Sequence, residues 1–225
     1  SGTRSDYGIA SNLLKKIEKS KNFHLSLIVS CMHLSSKYGN TFKEIENDGL
    51  KITKKIFIPV NSNKKLNLSK SAGVALIKFS KILSDLKPDL VLLVGDRYET
   101  FAAAFASLIY NIPVAHLHGG ELTLSSIDDS MRHSITKMSS IHFVSNKIYK
   151  KRVEQLGENP KNIHIVGSLG VENITKSTLY KKKDVEKKIK LSLKKNNFLV
   201  TFHPETIKGK YFSKLIFPVI KCLEK

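Results

Sequence analysis

Four short clusters in this 225-residue chain hold the residue types needed to move protons beside a leaving phosphate. They are Gly95-Asp96-Arg97-Tyr98-Glu99, His118-Gly119-Gly120-Glu121, Asp128-Asp129-Ser130-Met131-Arg132-His133, and His203. Asp96, Glu121, Asp128 and Asp129 supply carboxylates, and His203 an imidazole, for general acid and base work. Arg4, Arg97, His118 and Arg132 supply donors, and Gly119-Gly120 lets a backbone come close to a ligand. Arg4, at a helix start, suits a phosphate by charge and by the helix dipole. Together these residues point to proton transfer next to a diphosphate.

Each cluster also has a plainer use. Asp128 or Asp129 can cap a helix, Glu121 can pair with Arg97 or Arg132, and His203-Pro204 can end a strand. His116 and His142 alternate with apolar residues and read as packing histidines. His116-x-His118 followed by Glu121 lacks the spacing of a helical HExxH face, so no metal is expected. Gly167-Ser168-Leu169-Gly170 lacks a surrounding dinucleotide fingerprint and reads as a turn, so no cofactor is expected.

The elements that must position these residues alternate between short apolar runs and longer amphipathic stretches, the pattern of βαβ units in an α/β fold with a parallel sheet. Strands are expected near 24–30, 52–58, 89–94, 113–117, 141–145, 163–166 and 198–202, with helices at about 7–19 and 209–224 and others between the strands. Ser5 or Asp6 is placed to cap the first helix. In such a sheet, ligands bind beyond the carboxyl ends of the strands, where all four clusters fall. The chain opens at a strand-to-helix turn, and the first strand of a doubly wound sheet is expected to be missing.

Composition narrows the classes further. Net charge is +19, carried by 34 Lys and 4 Arg. Lysine is spread along the chain, except that none occurs in the 49 residues between Lys87 and Lys137, where even scatter would place about seven. Three of the four arginines sit in Asp/Gly-rich motifs, where a planar bidentate donor has a use. Nine of the twenty residues 176–195 are Lys, marking a solvated connector. Three segments are expected: a Rossmann-like domain over 1–175, a Lys-rich connector over 176–196, and the start of a truncated second Rossmann-like domain over 197–225.

No run approaches the ~20 apolar residues of a membrane span, so no membrane partner is expected. Cys31 and Cys222 are too few for a disulfide framework, which favours a reducing cytoplasm. The lysine cluster holds a single aromatic, Tyr180, which makes no platform for stacking successive bases, so a nucleic-acid partner is not expected.

GTRSDYG (2–8), GDRYET (95–100), HLHGGELT (116–123), IDDSMRHSITKMSSIHF (127–143), QLGENP (155–160), VGSLGVENI (166–174) and FHPET (202–206) occur in an order that resembles the hydrolysing UDP-N-acetylglucosamine 2-epimerases of sialic-acid and related nonulosonate synthesis. The resemblance implies two Rossmann-like domains in the glycosyltransferase-B arrangement, with a nucleotide sugar between them. It implies conversion of UDP-N-acetylglucosamine and water to N-acetylmannosamine and UDP through a 2-acetamidoglucal. On it, Asp96, Glu121 and Asp129 match the catalytic carboxylates, with Asp128 an adjacent candidate, and Arg4 and His203 match positions near the phosphate. It also implies a homodimer or tetramer. Because the family's Ser/Gly-rich phosphate loop and ribose-holding Glu lie beyond Lys225, the 225 residues alone are expected to turn over poorly. Related readings are the same chemistry on a GDP-linked or a 2,4-diacetamido sugar, a glycosyltransferase on the same architecture, and, from a different class, a basic nucleic-acid-binding module.

Overall fold

The computed structural model describes residues 1–59, 65–124, 126–201 and 212–223. Six strands, β1 (Leu27–Ser30), β2 (Ile52–Ile56), β3 (Val91–Val94), β4 (Val114–Leu117), β5 (Ile141–Val144) and β6 (Ile163–Ile165), alternate with helices. The helices are α1 (Arg4–Lys19), α2 (Phe42–Asn47), α3 (Lys65–Leu86), α4 (Tyr98–Ile109), α5 (Ile127–Lys137), α6 (Lys147–Gln155), α7 (Leu169–Lys176), α8 (Lys182–Ile189) and α9 (Phe212–Leu223). Every strand pair is parallel, in a two-stranded sheet β1-β2 and a four-stranded sheet β3-β4-β5-β6. This is the expected α/β class. Residues that follow β3, β4, β5 and β6 therefore leave the larger sheet at the same edge.

Burial follows from the sequence of each strand. Val114, Ala115, His116 and Leu117 of β4 are all buried, because the strand lies inside the sheet with helices over it. His116 and His142 face each other across the β4-β5 ladder and are almost wholly buried, as packing histidines should be. Under β1, Tyr7, Ala10 and Leu14 of α1 close on Leu27 and Val29, with Ile45 and Leu50 completing the cluster. On the other side Ile56, Ile58, Ala75 and Ala102 join α3 and α4 to the sheet.

Helix α1 starts earlier than its apolar periodicity suggests. Thr3, rather than Ser5 or Asp6, is its N-cap. Its hydroxyl accepts from the Asp6 backbone N–H at 3.3 Å, while the Asp6 carboxylate accepts from the Thr3 N–H at 3.0 Å, a reciprocal capping box. Asp6 is thus in the first turn as the box's acidic member.

Two other expectations change. Residues 198–201 form no strand, and Phe198 and Leu199 are exposed. An isolated apolar run has no ladder to join among the described residues, and a strand needs one. Phe202 and His203 lie outside the described residues. The turn expected over 167–170 is confined to its first half: β6 ends at Ile165, Gly167 turns at φ 79°, Ser168 is the N-cap of α7, and Leu169 and Gly170 already belong to that helix. The lysine-rich stretch contains the exposed helix α8. Among the described residues no helix is long and apolar enough to cross a membrane, and Cys31 and Cys222 are both free.

Candidate active site

At the carboxyl edge of the larger sheet, β3 delivers Gly95-Asp96 and β4 delivers His118. The two loops are tied by Gly95 N–H donating to the Leu117 carbonyl at 3.3 Å, and His118 N–H donates to Phe143 of β5 at 3.0 Å. Helix α5 then projects Asp129 and Arg132 back over this edge. Its N-cap is Ser126, whose hydroxyl accepts from the Asp128 N–H, so neither aspartate is spent as the cap. The Ser126 hydroxyl also donates to the Asp128 carboxylate at 2.7 Å.

Arg132 is the organising residue. It is 7% exposed, and its guanidinium donates to the Asp96 carboxylate, to the Thr123 hydroxyl at 3.0 Å and to the Glu121 backbone carbonyl at 2.9 Å. Asp129 lies 3.6 Å from the same guanidinium and accepts from the Thr123 N–H at 2.8 Å. His133 stands 3.8 Å from the other oxygen of Asp129. Thus the carboxylates of Asp96 and Asp129 and the backbone of Glu121, from three separate segments, are gathered around one cation. Arg132 itself is committed to these partners.

The carboxylates sit in different electrostatic settings. Burial pushes Asp96 above its ordinary value against the pull of Arg132, and the charge of Asp128 adds to the rise. For Glu121, burial pushes upward too, but hydrogen bonds from His118 and Ser145 outweigh it and hold the group below its ordinary value. His118 Nδ1 lies 2.8 Å from Glu121 Oε1, and Ser145 Oγ donates to that same oxygen at 2.9 Å. Groups whose environments push their pKa values apart suit acid and base roles in one site.

Other candidates are occupied differently. Arg97 pairs with Glu99 at 2.6 Å instead of with Glu121. Burial works against both charges: it raises Glu99, and for Arg97 the neighbouring Glu99 outweighs it and keeps the guanidinium charged. Arg4 is largely exposed and pairs with Glu44 at 3.0 Å. Its helix end is not remote, since the charge of Asp6 acts on Asp96, Arg97 and Glu99. Gly119 and Gly120 are needed for protein packing. A Cβ on Gly120 would lie 2.6 Å from the Tyr149 carbonyl oxygen of α6, and one on Gly119 would crowd Thr136 and His116. The close backbone approach is thus made to α6. Arg152 also donates to the Gly120 carbonyl.

Ser145, Thr123 and Asp6 belong to this region and are absent from the candidates read in the sequence. Ser145 was within reach of the same rule that flags strand ends: β5 stops at Val144, so Ser145 is the first residue past it. Reading the strand one residue too long hides it.

The family model described as UDP-N-acetylglucosamine 2-epimerase matches residues 15–225. A Campylobacter jejuni protein named GDP/UDP-N,N'-diacetylbacillosamine 2-epimerase (hydrolyzing) is 45% identical over 224 residues, covering 100% of this chain and 58% of its own. A polysialic acid biosynthesis protein of Escherichia coli is 43% identical over 92% of this chain and 52% of its own. The chain therefore spans between half and three fifths of the length of these curated relatives. Among solved structures, UDP-GlcNAc 2-epimerase from Neisseria meningitidis bound to UDP-GlcNAc superposes with a TM-score of 0.68 at 18% identity, covering 84% of this chain and 50% of that one. That likeness establishes the fold, a Rossmann-like half of the glycosyltransferase-B type. On the family match and these relatives together, the chain belongs to the UDP-N-acetylglucosamine 2-epimerase family.

Proposed function

We propose that this chain supplies one wall of the active site of a hydrolysing nucleotide-sugar 2-epimerase. The reaction takes UDP-N-acetylglucosamine and water to N-acetylmannosamine and UDP, feeding sialic-acid or related nonulosonate synthesis. The observation that carries this reading is the gathering of the Asp96 and Asp129 carboxylates and the Glu121 backbone around Arg132, with the Glu121 carboxylate held by His118 and Ser145, at the carboxyl edge of a parallel sheet. C2–H of the sugar is weakly acidic, so its removal has to be concerted with departure of UDP. A site for that reaction needs a base, an acid for the return proton, and cations for the diphosphate. Arg4, at the start of α1, and His203 are assigned to the diphosphate side, with Arg4 leaving Glu44 when the nucleotide arrives. Asp128 stands next to Asp129 as a second acidic group. The free cysteines suit a reducing cytoplasm, and the working form is a homo-oligomer.

The sugar is the finer question. The Campylobacter relative's name, and that of a Legionella pneumophila relative 40% identical over 77% of this chain, UDP-N,N'-diacetylbacillosamine 2-epimerase (hydrolyzing), favour a 2,4-diacetamido sugar as a second substrate reading. Incubating the whole protein in turn with UDP-N-acetylglucosamine, its GDP-linked counterpart and the UDP-linked diacetamido sugar tests both. Release of nucleoside diphosphate and a C2-inverted free sugar from one of them supports the chemistry and fixes the substrate. A strict requirement for a sugar acceptor would instead mark a glycosyltransferase.

A further inference from the structure

Glu99 is a carboxylate at a place where packing alone gives no reason for one. It is 2% exposed, in the first turn of α4, and burial pushes it above its ordinary value. One oxygen, Oε1, accepts from Arg97 Nε at 2.6 Å. The other, Oε2, is buried with no hydrogen-bond partner among the described residues. Such an orphaned atom calls for an explanation, since a neutral side chain of the same size would avoid the desolvation of a charge.

Arg97 supplies the explanation. Its guanidinium is a planar fork of N–H donors, and Glu99 takes the one on Nε. The Arg97 side chain stays 30% exposed, in the loop after β3 and next to Asp96. Held by Nε, a guanidinium keeps its two terminal amino groups in one plane, ready to grip two oxygens of a phosphate. Glu99 also touches the segment that carries a second cation. A Cβ on Gly2 would meet Oε1 and stand 2.9 Å from Glu99 Cγ, so the turn into α1 rests on this carboxylate two residues before Arg4.

We propose that Glu99 is a positioning residue for anion binding: it fixes Arg97 as a two-pronged clamp for the diphosphate of the nucleotide sugar and sets the turn carrying Arg4 beside it. The proposal rests on the reading above that a nucleotide sugar binds at this edge. Glu99 itself meets no ligand. A free arginine spreads over many rotamers and loses that freedom on binding, whereas one already held by a buried carboxylate has lost it in the empty site. The same carboxylate balances the half-buried guanidinium until the diphosphate arrives.

The test uses the fact that Glu99→Gln has two effects of opposite sign. Removing a negative charge beside an anion site strengthens anion binding by Coulomb's law, while losing a preorganised clamp weakens it. Calorimetric titration of the whole protein with UDP, and with GDP, reads the sign. Glu99→Gln and Arg97→Met are each expected to raise the Kd of the nucleoside diphosphate that wild type binds by about 10–100-fold, as loss of a charge-assisted pair does. The double variant is expected to bind no worse than Arg97→Met, because Glu99 acts through Arg97. Equal or tighter binding by Glu99→Gln, an unchanged Kd in Arg97→Met, or losses that add in the double variant each overturn the proposal. Should Glu99→Gln fail to fold, Glu99→Asp keeps the charge but falls a methylene short of Nε. It is expected to weaken binding too, and wild-type affinity in that variant overturns the proposal. Wild-type protein that binds a nucleoside diphosphate but turns over none of the three nucleotide sugars refutes the epimerase reading alone. Wild-type protein that turns one over, with a Kd unmoved by Glu99→Gln, refutes the role of Glu99 alone, and wild-type protein that binds neither diphosphate refutes both.

Discussion

The guanidinium of Arg132 and the carboxylate of Asp96 meet across 36 residues of sequence with side chains only 8% and 19% exposed. One cation thereby joins the loop after β3, the loop after β4 and helix α5. Removing one member of a buried pair leaves the other charge uncompensated, at a cost of about 3–5 kcal/mol. Arg132→Met is expected to lower the unfolding free energy by that amount in urea titrations. Arg132→Lys should lose less, since one ammonium keeps the charge but cannot reach Asp96, Thr123 and the Glu121 carbonyl together. A stability change under about 1 kcal/mol for Arg132→Met would mean the pair contributes nothing beyond a surface bridge.

Gly95 and Gly120 both have positive φ, 80° and 77°, but only Gly120 is packed. A Cβ there would stand 2.6 Å from the Tyr149 carbonyl and 2.9 Å from Val153 Cγ2, whereas one on Gly95 would meet nothing within 4 Å. Gly95→Ala should cost only the backbone term, roughly 1–2 kcal/mol. Gly120→Ala should add overpacking of about 1–3 kcal/mol. Thermal unfolding of the two variants side by side checks the order, and equal losses would contradict the packing assigned to Gly120.

His116 is fully buried and its ring is pushed down to about 4 by burial, with the Gly95 carbonyl 2.9 Å from Nε2 resisting the drop. The unfolded chain takes up this proton below its ordinary value of 6.5, while the folded chain waits until about 4. The stability due to keeping His116 neutral is therefore complete above pH 6.5 and is lost as pH falls toward 4. The loss is on the order of 3 kcal/mol at most. Buried His33, also lowered to about 4 by burial and then by the Ser1 amine, acts with the same sign. Glu121, held low, loses its contribution only below its ordinary 4.5. Urea titrations between pH 7 and 5 should give a steeper fall for wild type than for His116→Gln, and parallel slopes would contradict this account.

Much of the fold was legible in the sequence because buried parallel strands are written as short Val/Ile/Leu runs. All six strands of the two sheets fall within expected segments, and His116 and His142 are buried among them. What was not legible depended on partners brought from afar. Phe198–Val200 has a strand-like composition but no ladder among the described residues. The Thr3 cap lies ahead of the apolar periodicity, so the pattern could not show where α1 begins. Gly119-Gly120 showed that something comes close to the backbone, but only the structure places α6 there. Arg97 could have faced several acids, and chose Glu99 two residues away.

Asn173 fastens α7 to α1. Its side-chain amide donates to the Gly8 and Ile9 carbonyls at 2.6 and 2.8 Å, and its oxygen accepts from Asn12 at 2.8 Å. Asn173→Asp keeps the shape but loses both donors and places a carboxylate against two carbonyls. The expected cost is about 1–3 kcal/mol, read as hydrogen exchange in α7 accelerated roughly 10-fold or more while β4 is unchanged. Unaltered exchange in α7 would show that the helix is held by other contacts.

The central claim is that the carboxylate edge around Arg132 performs proton chemistry at C2 of a nucleotide sugar. Proton NMR of UDP-N-acetylglucosamine, and of the diacetamido sugar, incubated with the whole protein in heavy water tests it most directly. The account predicts free UDP together with a free, C2-inverted sugar carrying deuterium at C2. Release of UDP with hydrogen retained at C2, or with no inversion there, would contradict it.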